Sequence, residues 1–458
     1  MARVKKKETL TPEERLQAAL VPESEQPYPV PRNWCWTQLG TYIDFATDYV
    51  ANGSFASLKQ NVAYYKEENY AILVKTQDFS NSFTEDLTYT DKRGYDFLKK
   101  SVLYGGELIL SNIGSIGKVF RVPHLNKPMT LAPNSIMIKC YRETDYDLLY
   151  YYFLSPFGTE QLYSITTGTA VKKFNKTDLK TICLPLPPLS EQQRIVDSIE
   201  SLFAKLDAAK QKAQDALDSF ETRKAAILHK AFTGELIGKH STATTTLEEI
   251  TTCIRIGPFG SALHKEDYIL GGVPVVNPKH IVQQKIVPEE KTTVSVLKAE
   301  ELSSYILQKN DIILGRRGDM GRSAPVTDLE TGWLCGTGSM IIRLKSGYNA
   351  KFYSQIIASQ AAVRYLEENS VGSTMKNLNE KVVRLLPIPD FTVDEQLEIV
   401  RILDNLLAKE QQAKEVAEKV LEQIDLIKKA ILARAFRGEL GTNNPSEESA
   451  VELLKVIV

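Results

Sequence analysis

Glycine-punctuated turns, histidines and cysteines are where chemistry would sit in this chain of 458 residues. "GSIGK" (114–118) has too few residues between its glycines to cradle a phosphate as a P-loop does. "GPFGSALH" (257–264) lacks the G-x-G spacing of a dinucleotide site. No H-E-x-x-H zinc motif and no G-x-S-x-G nucleophile elbow occurs. The Asn-Pro-Pro-aromatic run with which amino-methyltransferases hold a target amine is also absent. His124, His229, His240, His264 and His280 lie in different segments without metal-ligand spacing. Cys35, Cys140, Cys183, Cys253 and Cys335 are scattered singly, with no C-x-x-C pair. They read as buried or incidental thiols of a reducing, cytoplasmic setting, and no metal site is expected. This inventory favours a binding or scaffolding protein over an enzyme.

The elements that position such residues come in two copies. Residues 191–236 align without a gap to 395–440, with close to half the positions identical, and both end alike: "AILHKAFTGEL" and "AILARAFRGEL". The same offset continues upstream. "GELILSNIGSIGK" (106–118) matches "NDIILGRRGDMGR" (310–322), "NSIMIK" (134–139) matches "GSMIIR" (338–343), and "TTGTAVKKFNK" (166–176) matches "SVGSTMKNLNE" (370–380). The repeat is far longer than the roughly 20–50 residues of a solenoid unit, so one module with its own helix is present twice.

Each copy ends in a long helical pattern. Ile199, Leu206, Ala213, Phe220 and Ile227 recur seven apart, beside Val196, Phe203, Ala209 and Ala216. Leu403, Glu410, Ala417, Ile424 and Ile431 do the same, beside Val400, Leu407, Ala413, Val420 and Ile427. Such stripes, without internal Gly or Pro, predict two helices of about 40 residues, about 60 Å long, that pack as an antiparallel pair. Ser190 with Gln193, and Thr392 or Asp394, are the expected caps after Pro187, Pro188 and Pro389. Gly234 and Gly438 suit the left-handed position that ends a helix.

Aliphatic runs such as "NYAILVK", "NSIMIKCY" and "SMIIRLK" predict strands, while "DLLYYYFLSPFGTEQLYSI" and "KFYSQIIASQAAVRYLEENS" predict helices, so both modules are expected to be α+β. Net charge is −1, which argues against a protein that coats nucleic acid by itself. No apolar run approaches the roughly 18 residues needed to cross a bilayer, so no membrane role is expected. "MARVKKKETLTPEE" is basic but leads into no apolar stretch, so it is not expected to be a secretory signal.

The pair "LPLPPLSEQQRIV…KAAILHKAFTGEL" and "LPIPDFTVDEQLEIV…KKAILARAFRGEL" resembles the specificity (S) subunit of type I restriction–modification systems. So do "TGTAVKKFNKTDL", "GSTMKNLNEKVV", "VPRNWCWTQLG" (30–40) and "FGSALHKEDYILGGVPVVNPKHI" (259–281), and the resemblance covers essentially the whole chain. It implies two target-recognition domains in tandem, related by a pseudo-two-fold and separated by two long antiparallel coiled-coil-like helices. The expected boundaries are an N-terminal helical arm (1–27), a first recognition domain (28–188), a central long helix (189–240), a second recognition domain (241–391), a second long helix (392–440) and a helical tail (441–458). Each domain is expected to read one half of a bipartite site on double-stranded DNA, in grooves about 34 Å apart. The helices would set the spacing and dock two modification subunits, joined by restriction subunits. The chain itself would be non-catalytic and without a cofactor, S-adenosylmethionine and ATP belonging to those partners.

On that reading the recurring turns are the candidate DNA-binding residues. "SNIGSIGK" offers Asn112, Ser115 and Lys118, and "GRRGDMGR" offers Arg316, Arg317 and Arg322. The second pair of turns adds Thr169, Lys172 and Lys173, and Thr374, Lys376 and Asn377. Arg pairs bidentately with guanine and Asn with adenine, while Lys and Ser reach phosphate. The bland alternative is that these turns are scaffold, repeated for folding reasons. Two other functions stand beside the resemblance: a DNA-modifying enzyme acting alone, and a coiled-coil scaffold without a DNA role.

Overall fold

The computed structural model describes residues 11–142, 144–239, 244–259, 262–370 and 377–458. The chain forms two compact units, one made of the residues up to Lys212 together with Val420–Val458, the other of Ala213–Lys419. Each unit therefore joins one globular module to the start of the helix that follows it and to the end of the other copy's helix. The repeat in sequence and the unit in space are offset from one another.

In the first module an antiparallel sheet runs in the order Ile43–Asp48, Ser135–Cys140, Leu108–Ser111, Val119–Arg121. A second sheet runs Tyr89–Thr90, Ala71–Val74, Met129–Leu131, Val102–Leu103, with its central pair parallel. Every residue of Ala71–Val74 and Leu108–Ser111 is buried, which is why these strands read as unbroken aliphatic runs. The second module repeats the design. Its antiparallel sheet runs Thr251–Ile256, Ser339–Leu344, Asp311–Gly315, Ser323–Pro325, and its second sheet runs Tyr268–Ile269, Thr293–Val294, Val273–Val276, Leu334–Cys335, with its parallel pair, Val273–Val276 with Leu334–Cys335, at the edge. Helices Tyr146–Leu154 and Pro156–Ser164 in one module, and Ala350–Ile357 and Gln360–Asn369 in the other, meet at Ser155 and Ser359, whose hydroxyls cap the second helix of each pair.

Helix Val393–Ala435 is continuous. Its counterpart is not: Leu189–Asp218 and Phe220–Phe232 are separated at Ser219, where one unbroken helix is expected from the sequence. The Arg223 guanidinium donates two bonds to the Ala216 carbonyl, 3.2 Å each, and the Ser219 hydroxyl donates to the Asp215 carbonyl at 2.8 Å. These side chains compete with the helical ladder, and the repeat-equivalent residues Gln423 and Ile427 cannot reproduce them.

The helices run antiparallel within each unit. In the first, Ile195 and Ile199 share a core with Leu432, Ala435 and Phe436, and Asp207 pairs with Lys428 at 2.6 Å. In the second, Arg223 pairs with Glu410 at 2.9 Å, and Ile227 and Leu228 pack in the core that holds Ile399, Val400 and Leu403. One seam of the stripe is covered, through Ile199, Phe220, Leu403, Ala417 and Ile424. The second series is covered only in part: Val196 and Val400 are buried, while Ala209, Ala216, Ala413 and Ile427 are exposed, against expectation. A pair of helices buries only the faces turned toward each other.

The helix starts explain the repeated Glu-Gln. Gln192 is fully buried; its amide donates to the Pro187 carbonyl at 3.0 Å and its oxygen accepts from the Tyr42 hydroxyl at 3.0 Å, which in turn accepts from the Asp145 N–H at 2.9 Å. Gln396 donates to the Phe391 carbonyl at 2.7 Å and accepts directly from the Asn349 N–H at 2.9 Å. Asp145 and Asn349 cap the helices Tyr146–Leu154 and Ala350–Ile357, so each glutamine ties a long helix to its module. Glu191 is also buried, accepting from Trp34 at 2.7 Å and Thr442 at 3.0 Å. The expected Ser190–Gln193 capping box does not form: the helix begins earlier, and the Pro188 carbonyl accepts from the Glu191 and Gln192 N–H groups. Thr392 does open the second helix, its N–H donating to Glu395 at 2.8 Å. Gly234 and Gly438 take φ values of +82° and +72°.

In the first unit the arm helix Pro12–Ala19 carries a Thr11–Glu14 capping box, and Leu16 and Leu20 pack with Leu453 and Leu454 of the tail helix Ala450–Ile457.

Replacing Gln396 by Leu removes the acceptor of a buried N–H. It is expected to cost about 1–3 kcal/mol, read as a lowered midpoint in denaturant unfolding. Gly438→Ala is expected to cost more than the roughly 1–2 kcal/mol of backbone strain at that φ, by the same measurement, because the new Cβ would also collide with the Pro31 ring.

Candidate nucleic-acid interface

The turns singled out in the sequence converge at one end of each antiparallel sheet, where Ile43–Asp48 and Leu108–Ser111 end and Ser135–Cys140 begins. The turn after Leu108–Ser111 meets the turn before helix Lys176–Leu179: Ile113 bridges Lys173, the Gly114 N–H donates to the Lys172 carbonyl at 3.3 Å, and the Phe174 N–H donates to the Asn112 carbonyl at 3.1 Å. Asn112, Ser115, Lys118, Lys172 and Lys173 are thus brought together, with Thr169 exposed in the second turn.

The second module closes the same way. Arg317 bridges Asn377, and the Leu378 N–H donates to the Arg316 carbonyl at 3.0 Å. The Arg316 N–H donates to the Gly338 carbonyl at 3.0 Å, as the Asn112 N–H does to that of Asn134 at 3.3 Å. Thr374 and Lys376 lie outside the described residues.

Two candidates turn inward. The Asn112 side-chain amide donates to the Phe174 carbonyl at 3.0 Å, and Arg316 Nε donates to the equivalent Leu378 carbonyl at 3.4 Å. Burial first, then the charge of Arg317, lowers the Arg316 pKa below its ordinary value. These side chains hold the two turns together. Arg322 is engaged with Asp319 and with the Pro278 carbonyl. Ser115, Lys118, Lys172, Lys173 and Arg317 face solvent, Lys172 lying over the Tyr163 ring at 5.6 Å. None of these four cations forms an ion pair with another described residue.

The interface also contains residues that the sequence pattern leaves out. Lys176 binds Asp48 at 3.0 Å, and Glu380, at the same repeat position, accepts from the Ile256 N–H at 3.4 Å. These contacts fasten the loop after the first strand of each sheet to the turns above; the signal in the sequence is the match of Asn175-Lys176 with Asn379-Glu380.

Among the described residues no group of three or more His, Cys, Asp or Glu side chains is placed to hold a metal ion. His280 is buried, its Nδ1 accepting from the Asn277 N–H at 3.1 Å, a capping role. Burial pushes the Cys35 and Cys140 thiols up to about 12, so neither is a nucleophilic thiolate near neutral pH. No described helix is long and apolar enough to cross a membrane.

A profile of the type I restriction modification DNA specificity domain matches this chain twice, at residues 50–217 and 255–422. The chain belongs to that family and carries its domain in tandem. The specificity subunit of the type I restriction enzyme EcoKI from Escherichia coli is 24% identical over 443 residues, 87% of this chain and 90% of that protein. The EcoBI specificity subunit, also from Escherichia coli, is 24% identical over 69% of this chain and 72% of its own length. Among solved structures, the HsdS subunit from Thermoanaerobacter tengcongensis shares the fold with a TM-score of 0.60 at 19% identity, covering 91% of this chain and all of that one.

Asn112→Ala is expected to destabilise the first module by about 1 kcal/mol, because it strips a bond that closes the two turns. Lys118→Ala is expected to stay within about 0.5 kcal/mol of the parent. Thermal unfolding of the two variants checks this division between turn-holding and outward-facing residues.

Proposed function

We propose that this chain is the DNA-reading, non-catalytic subunit of a type I restriction–modification complex, its two target-recognition domains (28–188 and 241–391) each reading one half of a bipartite site. One observation carries the reading. The two modules close their exposed turns with the same backbone bonds yet present different side chains on them: Ile113 and Ser115 in one, Arg317 and Asp319 at the same repeat positions in the other. A shared frame with different residues is what two half-sites of different sequence require.

Lys118, Lys172 and Lys173 serve phosphate, and Arg317 reads guanine, with Ser115, Thr169, Thr374, Lys376 and Asn377 as polar contacts. Asn112, Arg316 and Arg322 act by holding the turns in shape. The paired long helices set the interval between half-sites and dock two modification subunits, which hold S-adenosylmethionine; restriction subunits supply ATP-driven translocation. Phosphate affinity is shared among the subunits, in keeping with a net charge of −1 on this one.

Exchanging residues 241–391 for those of a relative is expected to change one half-site and leave the other intact, as read by methylome sequencing in cells with the partner subunits. Change in both halves, or in neither, contradicts the reading. In the assembled complex, Lys172→Ala is expected to weaken binding to all sequences and lower the salt slope by about one. Arg317→Ala is expected to relax discrimination at one base pair by about 1–3 kcal/mol. Competition binding at several salt concentrations separates the two effects.

A further inference from the structure

Phe55 and Phe259 lie in corresponding loops of the two modules, seven residues after strand Ile43–Asp48 and three after Thr251–Ile256, in "GSFASL" (53–58) and "GPFGSAL" (257–263). Both rings face solvent, 80% and 67% exposed. A single exposed phenylalanine needs no explanation, since much of any protein surface is apolar. Two in corresponding loops of a duplicated module, each loop burying a leucine a few residues on (Leu58 and Leu263), do need one.

The loops hold these rings outward by design of their neighbours. Leu58, one turn after Phe55, packs with Val62, Leu73 and Leu98, and the Ser54 hydroxyl accepts from the Ser57 N–H at 3.2 Å. In the second module Gly257 and Pro258 are buried, the Gly257 N–H donates to the Ser339 carbonyl at 2.9 Å, and Leu263 enters the core. Gly257 has no room for a side chain, because a Cβ there would collide with the Gly336 carbonyl.

The rings also share a sheet end with the exposed cations. Asp48, which closes the strand before Phe55, is held by Lys176. Ile256, three residues before Phe259, is held by Glu380. Lys176 and Glu380 open the helices that follow the turns bearing Lys172 and Lys173, and Asn377. Next to Phe55 the chain is small or polar, with Asn52, Ser54, Ala56 and Ser57, and Val50 is the other exposed large apolar residue of the loop, less than the apolar run that the core of a protein interface buries. An isolated aromatic face beside cations suits one ligand chemistry in particular: a nucleobase stacked on or wedged by the ring, with the neighbouring phosphates on the cations.

We infer that Phe55 and Phe259 each contact a base of the half-site read by their own module. The inference rests on the DNA-reading function proposed above and adds an apolar contact to its polar ones.

The test uses the full chain assembled with its modification subunits and the duplex that the wild-type complex selects from a random pool. Phe55→Ala and Phe259→Ala are each expected to weaken that duplex on the order of ten-fold. The salt slope should stay unchanged, since no phosphate contact is lost, and Phe→Trp at either position should restore binding. Each alanine should alter fluorescence of 2-aminopurine placed in one half-site and not in the other. Wild-type affinity in both alanine variants overturns the inference. So does weaker binding accompanied by loss of the modification subunits, which would make the ring a protein contact. A wild-type complex that selects no duplex at all instead overturns the DNA-reading function itself, and this inference with it.

Discussion

A buried glutamine at the head of each long helix is the joint on which the architecture turns. Gln192 and Gln396 each donate to the carbonyl of a Pro-rich segment that precedes the helix and accept, directly or through Tyr42, a hydrogen bond from the residue capping a module helix. An amide carries both a donor and an acceptor, so the Gln396 side chain satisfies two backbone groups, and that of Gln192 a backbone carbonyl and the Tyr42 hydroxyl. Neither an acid nor an aliphatic residue of that size can do both. The joint fixes the direction in which each helix leaves its module, and the antiparallel pairing within each unit follows from that direction.

Duplication of this joint has a consequence for reading DNA. The turns at the sheet end are closed by backbone bonds that are the same in both modules, with Asn112 and Arg316 doing equivalent work through different chemistry. The outward positions are thereby released from folding duties. A lysine, arginine, serine or aspartate at such a site alters contacts with a partner without altering the frame, because surface substitutions cost little stability. On the function proposed here, stability and recognition fall to different side chains of the same turn.

Much of this was legible in the residues and some was not. The heptad stripe, the buried aliphatic strands and the left-handed glycines are local patterns, and the structure contains them. Non-local features escaped. The break at Ser219 depends on Arg223 reaching back to a carbonyl, which helix propensity does not register. The exposed Ala209, Ala413 and Ile427 reflect how few neighbours a helix pair supplies, whereas periodicity counts only apolar spacing. That each module packs with the end of the other copy's helix follows from the pairing and from no single segment. Asn112 and Arg316 look like readers by residue type, and only their partners show them to be braces. Phe55 and Phe259 were hidden because their loops share little beyond a glycine, the phenylalanine and a serine.

If a duplicated module reads two half-sites at an interval fixed by paired helices, the duplexes that the assembled wild-type complex selects from a random pool will carry both features. Two different short sequences separated by a constant number of unspecified base pairs are the predicted outcome. A single uninterrupted site, or two half-sites at variable separation, would contradict it.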